Sequence, residues 1–340
     1  MTNFEQSNHR GEKSLIVMGA GKGIFEVLSK IYTNDLFVVK AVVPRCDRKT
    51  GRLENSEDLK NLAEEYAIPV IISKDVNGQE FLNNIAVLNP KLIVSWGYGQ
   101  IFKKNLLNIA PLGTLNFHPG LLPFGRGSGA VVGEIWNSAT EIGQVAHFMD
   151  EHIDKGRVVD KRSFKITGFE YQDEINAMLA TGSADFFVSA IEKVFAGNKG
   201  TGVNSFGRYY PKFIEGDDIV NWSEPSEIIV RKIRSRSPYR LGKTFKNPEN
   251  IDIYIRKVSL SDVSNYYSAV GQVIDRSDKG ILVKTGDNAI WVEEISLDGS
   301  VFVTPDFYIG TSFTSNWQFE LFKLKEQLAE LRSELFLRRK

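Results

Sequence analysis

A chain of 340 residues is long enough for two or three compact units and a sizeable core. Its 42 basic and 42 acidic residues cancel, so no global charge calls for nucleic acid or an acidic membrane. A single cysteine, Cys46, excludes an intramolecular disulfide and fits a reducing compartment. No run approaches the roughly 18 apolar residues of a membrane-spanning helix, and the polar start MTNFEQSNHRGEK lacks a signal-peptide pattern. The expected location is the cytoplasm, with no membrane partner.

Through the first half, short apolar runs alternate with helical patterns: SLIVMGAG, GIFEVLSKIY, LFVVKAVV, SEDLKNLAEEYA, IPVII and KLIVSW. That alternation predicts an α/β fold, a Rossmann-like parallel sheet flanked by helices, with active loops beyond the carboxyl ends of the strands. MGAGKG falls short of a dinucleotide fingerprint, because Ile24 stands where the third glycine is required. Trp96, Gly97, Tyr98 and Gly99 follow KLIVS, where glycines permit a bent loop and aromatics can wall a pocket.

LGTLNFH reads as a further strand, so Asn116 and His118, two apart, project to one side. The tight NFHPGLLPFGRG path follows, and Asp154 comes later in HIDKG. An imidazole relays protons near neutral pH, a carboxamide N–H can stabilise an oxyanion, and an ionised carboxylate orients an imidazole. Asn116, His118 and Asp154 together suit acyl transfer between nitrogens. The sequence has no compact His and Cys cluster with zinc spacing, so no metal is expected.

Residues 170–195 carry apolar positions at helical spacing and predict one helix or two short ones. GRYYPKFIEGDDIVNW reads as a linker, and a helix starts near Ser223 and Glu224. IDIYIRKVSL, AVGQVIDRS, KGILVKTGD and NAIWVEEISL predict strands of a small barrel, with no visible basic stripe interleaved with aromatics. In the final segment Leu321, Leu324, Leu328, Leu331 and Leu335 form an apolar seam on a charged helix, suited to packing or a homodimer.

The order Asn116, His118, Pro119, Leu121, Leu122, Pro123, Arg126, Gly127, then Gly143, His147, Met149, Asp154 and Gly156 resembles the signature of the 10-formyltetrahydrofolate-dependent formyltransferases. Gly120 and Val145 depart from it, standing where that family usually has Ser and Thr. The resemblance implies Asn116, His118 and Asp154 as the catalytic residues and 10-formyltetrahydrofolate as formyl donor. It also implies a folate pocket bordered by Trp96, Gly97, Tyr98, Gly120, Leu121, Leu122, Pro123, Asp150, Glu151, His152 and Ile153. Arg126, Gly127, Tyr209 and Tyr210 are the expected acceptor-binding residues.

The implied organisation is a catalytic domain over 1–205, a linker and connecting helix over 206–235, an open β-barrel of the oligonucleotide-binding type over 236–312, and a C-terminal helix over 313–340. The stretch RCDRKTGRLENSEDLKNLAEE turns acidic where the tRNA-formylating members carry a basic insertion. The Tyr209–Tyr210–Pro211 run and SPYRLG look more like the members acting on sugars. The expected acceptor is therefore the primary amine of a nucleotide-linked amino sugar, used in lipopolysaccharide or glycan biosynthesis, with nucleic acid set aside as a partner. Methionyl-tRNA formylation and a non-catalytic folate-binding or scaffold role are the alternatives.

Overall fold

The structure is a computed structural model that describes residues 13–203, 206–214, 216–247, 249, 251–262, 266–314, 324, 328 and 331. Its contacts divide the chain into two compact units, the first made of 1–134, 139–167 and 175–212, the second of 135–138, 168–174 and 213–340.

The first unit follows the alternation read from the sequence: β1 (Ser14–Gly19), α1 (Lys22–Thr33), β2 (Val38–Pro44), α2 (Glu57–Glu65), α3 (Gln79–Val87), β3 (Leu92–Trp96), α4 (Lys104–Leu107) and β4 (Thr114–His118). After α5 (Ala130–Trp136) come β5 (Glu141–Phe148) and β6 (Val158–Lys165). The sheet order is β2-β1-β3-β4-β5-β6; its first four strands are parallel, whereas β5 and β6 run antiparallel to their neighbours.

Every residue of β1 is buried because helices cover both faces of the sheet. Leu15 and Val17 join Val94, Phe117, Leu28 and Phe187 in one core layer, while Ile16 and Met18 join Ile93, Phe81 and Ile85 in the other. The apolar spacing Ile24, Val27, Leu28, Ile31 gives α1 a single buried stripe. Each such side chain contributes roughly 1.5–3 kcal/mol on burial.

Two expectations change. IPVII makes a single bridge, Val42 to Val70, rather than a strand, since Pro69 has no N–H to give a ladder. The 170–195 stretch forms two helices, α6 (Gln172–Ala180) and α7 (Ser183–Phe195), separated by Gly182 at φ +65°.

The second unit contains α8 (Ser226–Arg234), β7 (Gly242–Asn247), β8 (Ile251–Leu260), β9 (Val273–Ser277), β10 (Gly280–Lys284), β11 (Ala289–Ser296) and β12 (Ser312–Thr314). The antiparallel order β12-β7-β8-β11-β10-β9 curls until Gln272, beside β9, bridges Ser312 in β12. Ile229 and Ile233 of α8 close its core with Ile253, Ile255, Val283 and Val292. Several basic groups here lie over rings, among them Lys243 over Tyr254, Lys246 over Phe307, Arg256 over Phe302, Arg276 over Tyr308 and Lys279 over Trp291. Each of these cations is also paired with a carboxylate: Lys243 with Asp252, Lys246 with Glu249, Arg256 with Glu294, Arg276 with Asp306 and Lys279 with Glu293. These pairs join residues of different strands and loops, which a linear scan does not bring together.

The expected C-terminal helix, with Leu321 and Leu335, lies outside the described residues except for Leu324, Leu328 and Leu331, which are helical and exposed. Among the described residues no helix is long and apolar enough to cross a membrane.

Candidate active site

Asn116 and His118 sit at the carboxyl end of β4, where the parallel part of the sheet meets antiparallel β5. Period-two geometry puts them on one side of the strand, and the β4–β5 register places His147 directly opposite Asn116. The Asn116 amide nitrogen lies 3.1 Å from His147 Nε2. Because His147 Nδ1–H donates to the Phe148 carbonyl at 2.9 Å, Nε2 is free to accept from that amide.

Asp154 completes the cluster. Its Oδ1 lies 3.4 Å from His147 Nε2 and its Oδ2 3.8 Å from His118 Nδ1. Asp154 has φ +51°, a left-handed conformation that Asp tolerates better than most residues. Two bonds hold it there: Gly127 N–H donates to Oδ2 at 2.7 Å, and Arg126 Nε donates to the Asp154 carbonyl at 3.0 Å. Gly127 has φ +91°, and a Cβ on it would run into the Tyr210 carbonyl, so only glycine brings this N–H so close.

Burial pushes the Asp154 carboxyl up, but the His147 contact, the His118 ring when it is protonated in acid, and the Gly127 N–H outweigh it and hold the pKa at about 2. His118 is shifted the other way, downward, because burial outweighs the attraction of Asp154. The result is an ionised carboxylate between two imidazoles, with the His118 ring favoured in its neutral form.

A cavity of about 570 Å³ opens beside this cluster. Of the residues expected at the site, Gly127, Asp150, Glu151, His152, Ile153, Asp154, Tyr209 and Tyr210 line it. His147, Gln100, Ile101, Phe102 and Met149 line it as well and were not among the expected site residues. Met149 and His147 belonged to the matched signature, which was the available signal; the 100–102 segment had only its position after β3.

The remaining expected residues lie elsewhere. Trp96 packs edge-on against Phe117 and Phe187 in one core layer, and Tyr98 is buried against Phe102 in the other. Gly97, Gly120, Leu121, Leu122 and Pro123 are not part of the cavity lining. Gly120 sits so close to the Gly125 carbonyl and His118 Nε2 that a Cβ would meet both, which accounts for glycine in place of the family's Ser. Arg126 is buried and spans from the Asp154 carbonyl to the Tyr209 ring, 5.4 Å from its centroid. It braces the site rather than facing the cavity.

Ile101, Phe102, Met149 and Ile153 offer apolar contact, while Gln100, Asp150 and the 150–154 backbone offer polar groups. No group of three or more His, Cys, Asp or Glu among the described residues is arranged to hold a metal ion.

A formyl transferase family model matches residues 13–191, and a model of the formyl transferase C-terminal domain matches residues 213–310. The chain is 29% identical over 298 residues to a methionyl-tRNA formyltransferase of Akkermansia muciniphila, covering 84% of this chain and 92% of that protein. It is 28% identical over 303 residues to that of Halothermothrix orenii, covering 87% and 96%. Among solved structures, the N-formyltransferase from Helicobacter canadensis in complex with folinic acid and dTDP-3-aminofucose superposes with a TM-score of 0.62 at 19% identity, over 82% of this chain and 98% of that one. HypX from Aquifex aeolicus in complex with tetrahydrofolic acid gives 0.54 at 17% identity, over 83% and 44%. These two likenesses show the fold. With a family model spanning its first unit and a second matching its curled sheet, the chain belongs to the formyl transferase family and is an enzyme that takes its formyl group from 10-formyltetrahydrofolate.

Proposed function

We propose that this enzyme formylates the amino group of methionyl-tRNA. The observation that carries the reading is the agreement of relatives: those of Akkermansia muciniphila, Halothermothrix orenii, Syntrophus aciditrophicus and Staphylococcus aureus are all methionyl-tRNA formyltransferases, at 27–29% identity over most of the chain. It corrects the expectation of a nucleotide-linked amino sugar as acceptor, with its link to lipopolysaccharide or glycan biosynthesis, and the preference for a small-molecule acceptor over tRNA. That expectation leaned on zero net charge, which averages over the chain and says nothing of local surfaces.

In the mechanism we infer, the donor supplies the formyl carbon. One N–H of the Asn116 amide is held by His147; the second is available to stabilise the oxyanion that develops when the amine attacks. His118, neutral with its Nε2–H donated to the Gly125 carbonyl, accepts the proton lost by the amine on Nδ1, where ionised Asp154 at 3.8 Å stabilises the imidazolium, and passes it on to the departing nitrogen. His147 keeps the Asn116 amide and the Asp154 carboxylate at fixed spacing. No covalent enzyme intermediate is needed.

The test is formyl transfer from 10-formyltetrahydrofolate to methionyl-tRNA by the purified full chain, read by mass of the released aminoacyl group. A gain of one formyl group on methionine is expected. Absence of transfer to methionyl-tRNA, with transfer to a free amine or amino sugar in the same preparation, would reject the acceptor and keep the chemistry.

A further inference from the structure

Glu134 is a buried acid that the mechanism above does not use. It lies on α5 with 6% of its surface exposed, and its Oε1 accepts the Leu121 N–H at 3.2 Å. Its Oε2 is buried without a hydrogen-bond partner among the described residues. Ionised, that oxygen would bear the desolvation cost of a charge; protonated, it bears only the smaller cost of an unpaired polar group. Burial accordingly pushes the carboxyl up to about 7, against the opposing pull of the Leu121 N–H.

The partner of Glu134 is the start of a turn that ends beside His118. The N–H groups of Phe124 and Gly125 donate to the Leu121 carbonyl at 3.0 and 2.7 Å. The Gly125 carbonyl in turn accepts Nε2–H of His118 at 2.5 Å. Glu134 also meets the far end of the turn, because a Cβ on Gly125 would collide with Oε1. One side chain therefore braces the turn at both ends.

We propose that neutral Glu134 is the positioning residue for His118: it fixes the Leu121–Gly125 turn, whose Gly125 carbonyl keeps the imidazole proton on Nε2 and leaves the Nδ1 lone pair toward Asp154. This rests on His118 being the base, as read above. The charged and titratable groups linked to the turn are His118 on β4, Arg126 next to Gly125, and Asp154 and His147 beyond them. Position 134 lies outside the signature quoted above.

The test uses the full chain with 15N-labelled histidine, whose four histidines allow the His118 signals to be assigned by loss in His118→Ala. Glu134→Ala should lower kcat about tenfold with little change in KM for 10-formyltetrahydrofolate, as expected for a displaced catalytic group. It should also spread His118 over both tautomers. Glu134→Gln keeps an oxygen for the Leu121 N–H and cannot ionise. It should restore most of the lost kcat and abolish the decline in kcat expected of the wild type as pH rises through about 7.

If Glu134→Ala does not fold, the Glu134→Gln pH profile and its His118 spectrum still decide. An unchanged pH profile in Glu134→Gln, or an unchanged His118 tautomer in folded Glu134→Ala, overturns the proposal. Full turnover in His118→Ala would instead overturn the reading of His118 itself, while collapse of that variant alongside unaltered Glu134 variants sinks only the brace.

Discussion

His147 faces Asn116 across the β4–β5 ladder, and its Nε2 touches both the Asn116 amide, at 3.1 Å, and Asp154 Oδ1, at 3.4 Å. One ring therefore sets the distance between the group proposed to bind the oxyanion and the carboxylate proposed to stabilise the protonated base. His147→Ala should lower turnover about tenfold to a hundredfold while leaving the circular dichroism spectrum intact. Steady-state kinetics with unchanged kcat would remove His147 from the mechanism.

Asp154→Asn preserves shape and the acceptor for Gly127 N–H but removes the charge. Turnover should fall about a hundredfold or more. Stability carries a second signature. The folded pKa, about 2, lies below the ordinary 3.8, so the carboxylate stabilises the fold above pH 3.8 and loses that contribution as pH falls through 2. The full contribution is about 2 kcal/mol. Denaturant titrations of both proteins should differ by that amount at pH 6 and converge near pH 2; a constant gap would contradict the linkage.

Glu134 runs in the opposite sense. Its folded pKa, about 7, lies above 4.5, so the fold is most stable with respect to this group below pH 4.5 and loses stability as pH rises through 7. The loss approaches about 3 kcal/mol. Relative to wild type, Glu134→Gln should gain stability between pH 5 and pH 8.5 in urea titrations. Parallel pH dependence of the two proteins would count against the raised pKa.

Gly127→Ala should destabilise by more than about 1 kcal/mol, because it combines φ +91° with a Cβ placed against the Tyr210 carbonyl. It should also impair turnover by displacing the N–H that holds Asp154. Melting and kinetics on one preparation test both, and a neutral outcome in each would mean that the loop relaxes freely.

Binding of methionyl-tRNA should weaken steeply with added salt, since phosphate contacts release counterions. Fluorescence anisotropy between about 50 and 200 mM salt should show a linear fall of log affinity. A flat response would count against methionyl-tRNA as the acceptor.

Much of this architecture is legible in the sequence, for local reasons. IDIYIRKVSL alternates and becomes β8, and the apolar runs SLIVMG and LIVSW, buried on both faces, become β1 and β3. Asn116, His118 and Asp154 stand out because a fixed spacing of polar groups among Pro and Gly is unusual. What stays hidden is nonlocal. His147 meets Asn116 only once β5 pairs antiparallel with β4, and Glu134 meets the Leu121 N–H only once the Leu121–Gly125 turn packs against α5. Trp96 and Tyr98 look like pocket walls in a line of text. The strand and its following loop instead turn them into opposite core layers.

Asp154 is fastened to residues 27 and 28 positions earlier through its carboxylate and its carbonyl, by Gly127 and Arg126 respectively. Neither the β4 loop nor the β5–β6 loop can hold that aspartate in its left-handed conformation alone. In refolding from denaturant, helix and strand signals should therefore return before catalysis does, because the two loops must dock before the last proton-handling group is in place. Enzymatic activity would then report the latest packing event of the first unit, with a time course that far-ultraviolet dichroism does not show.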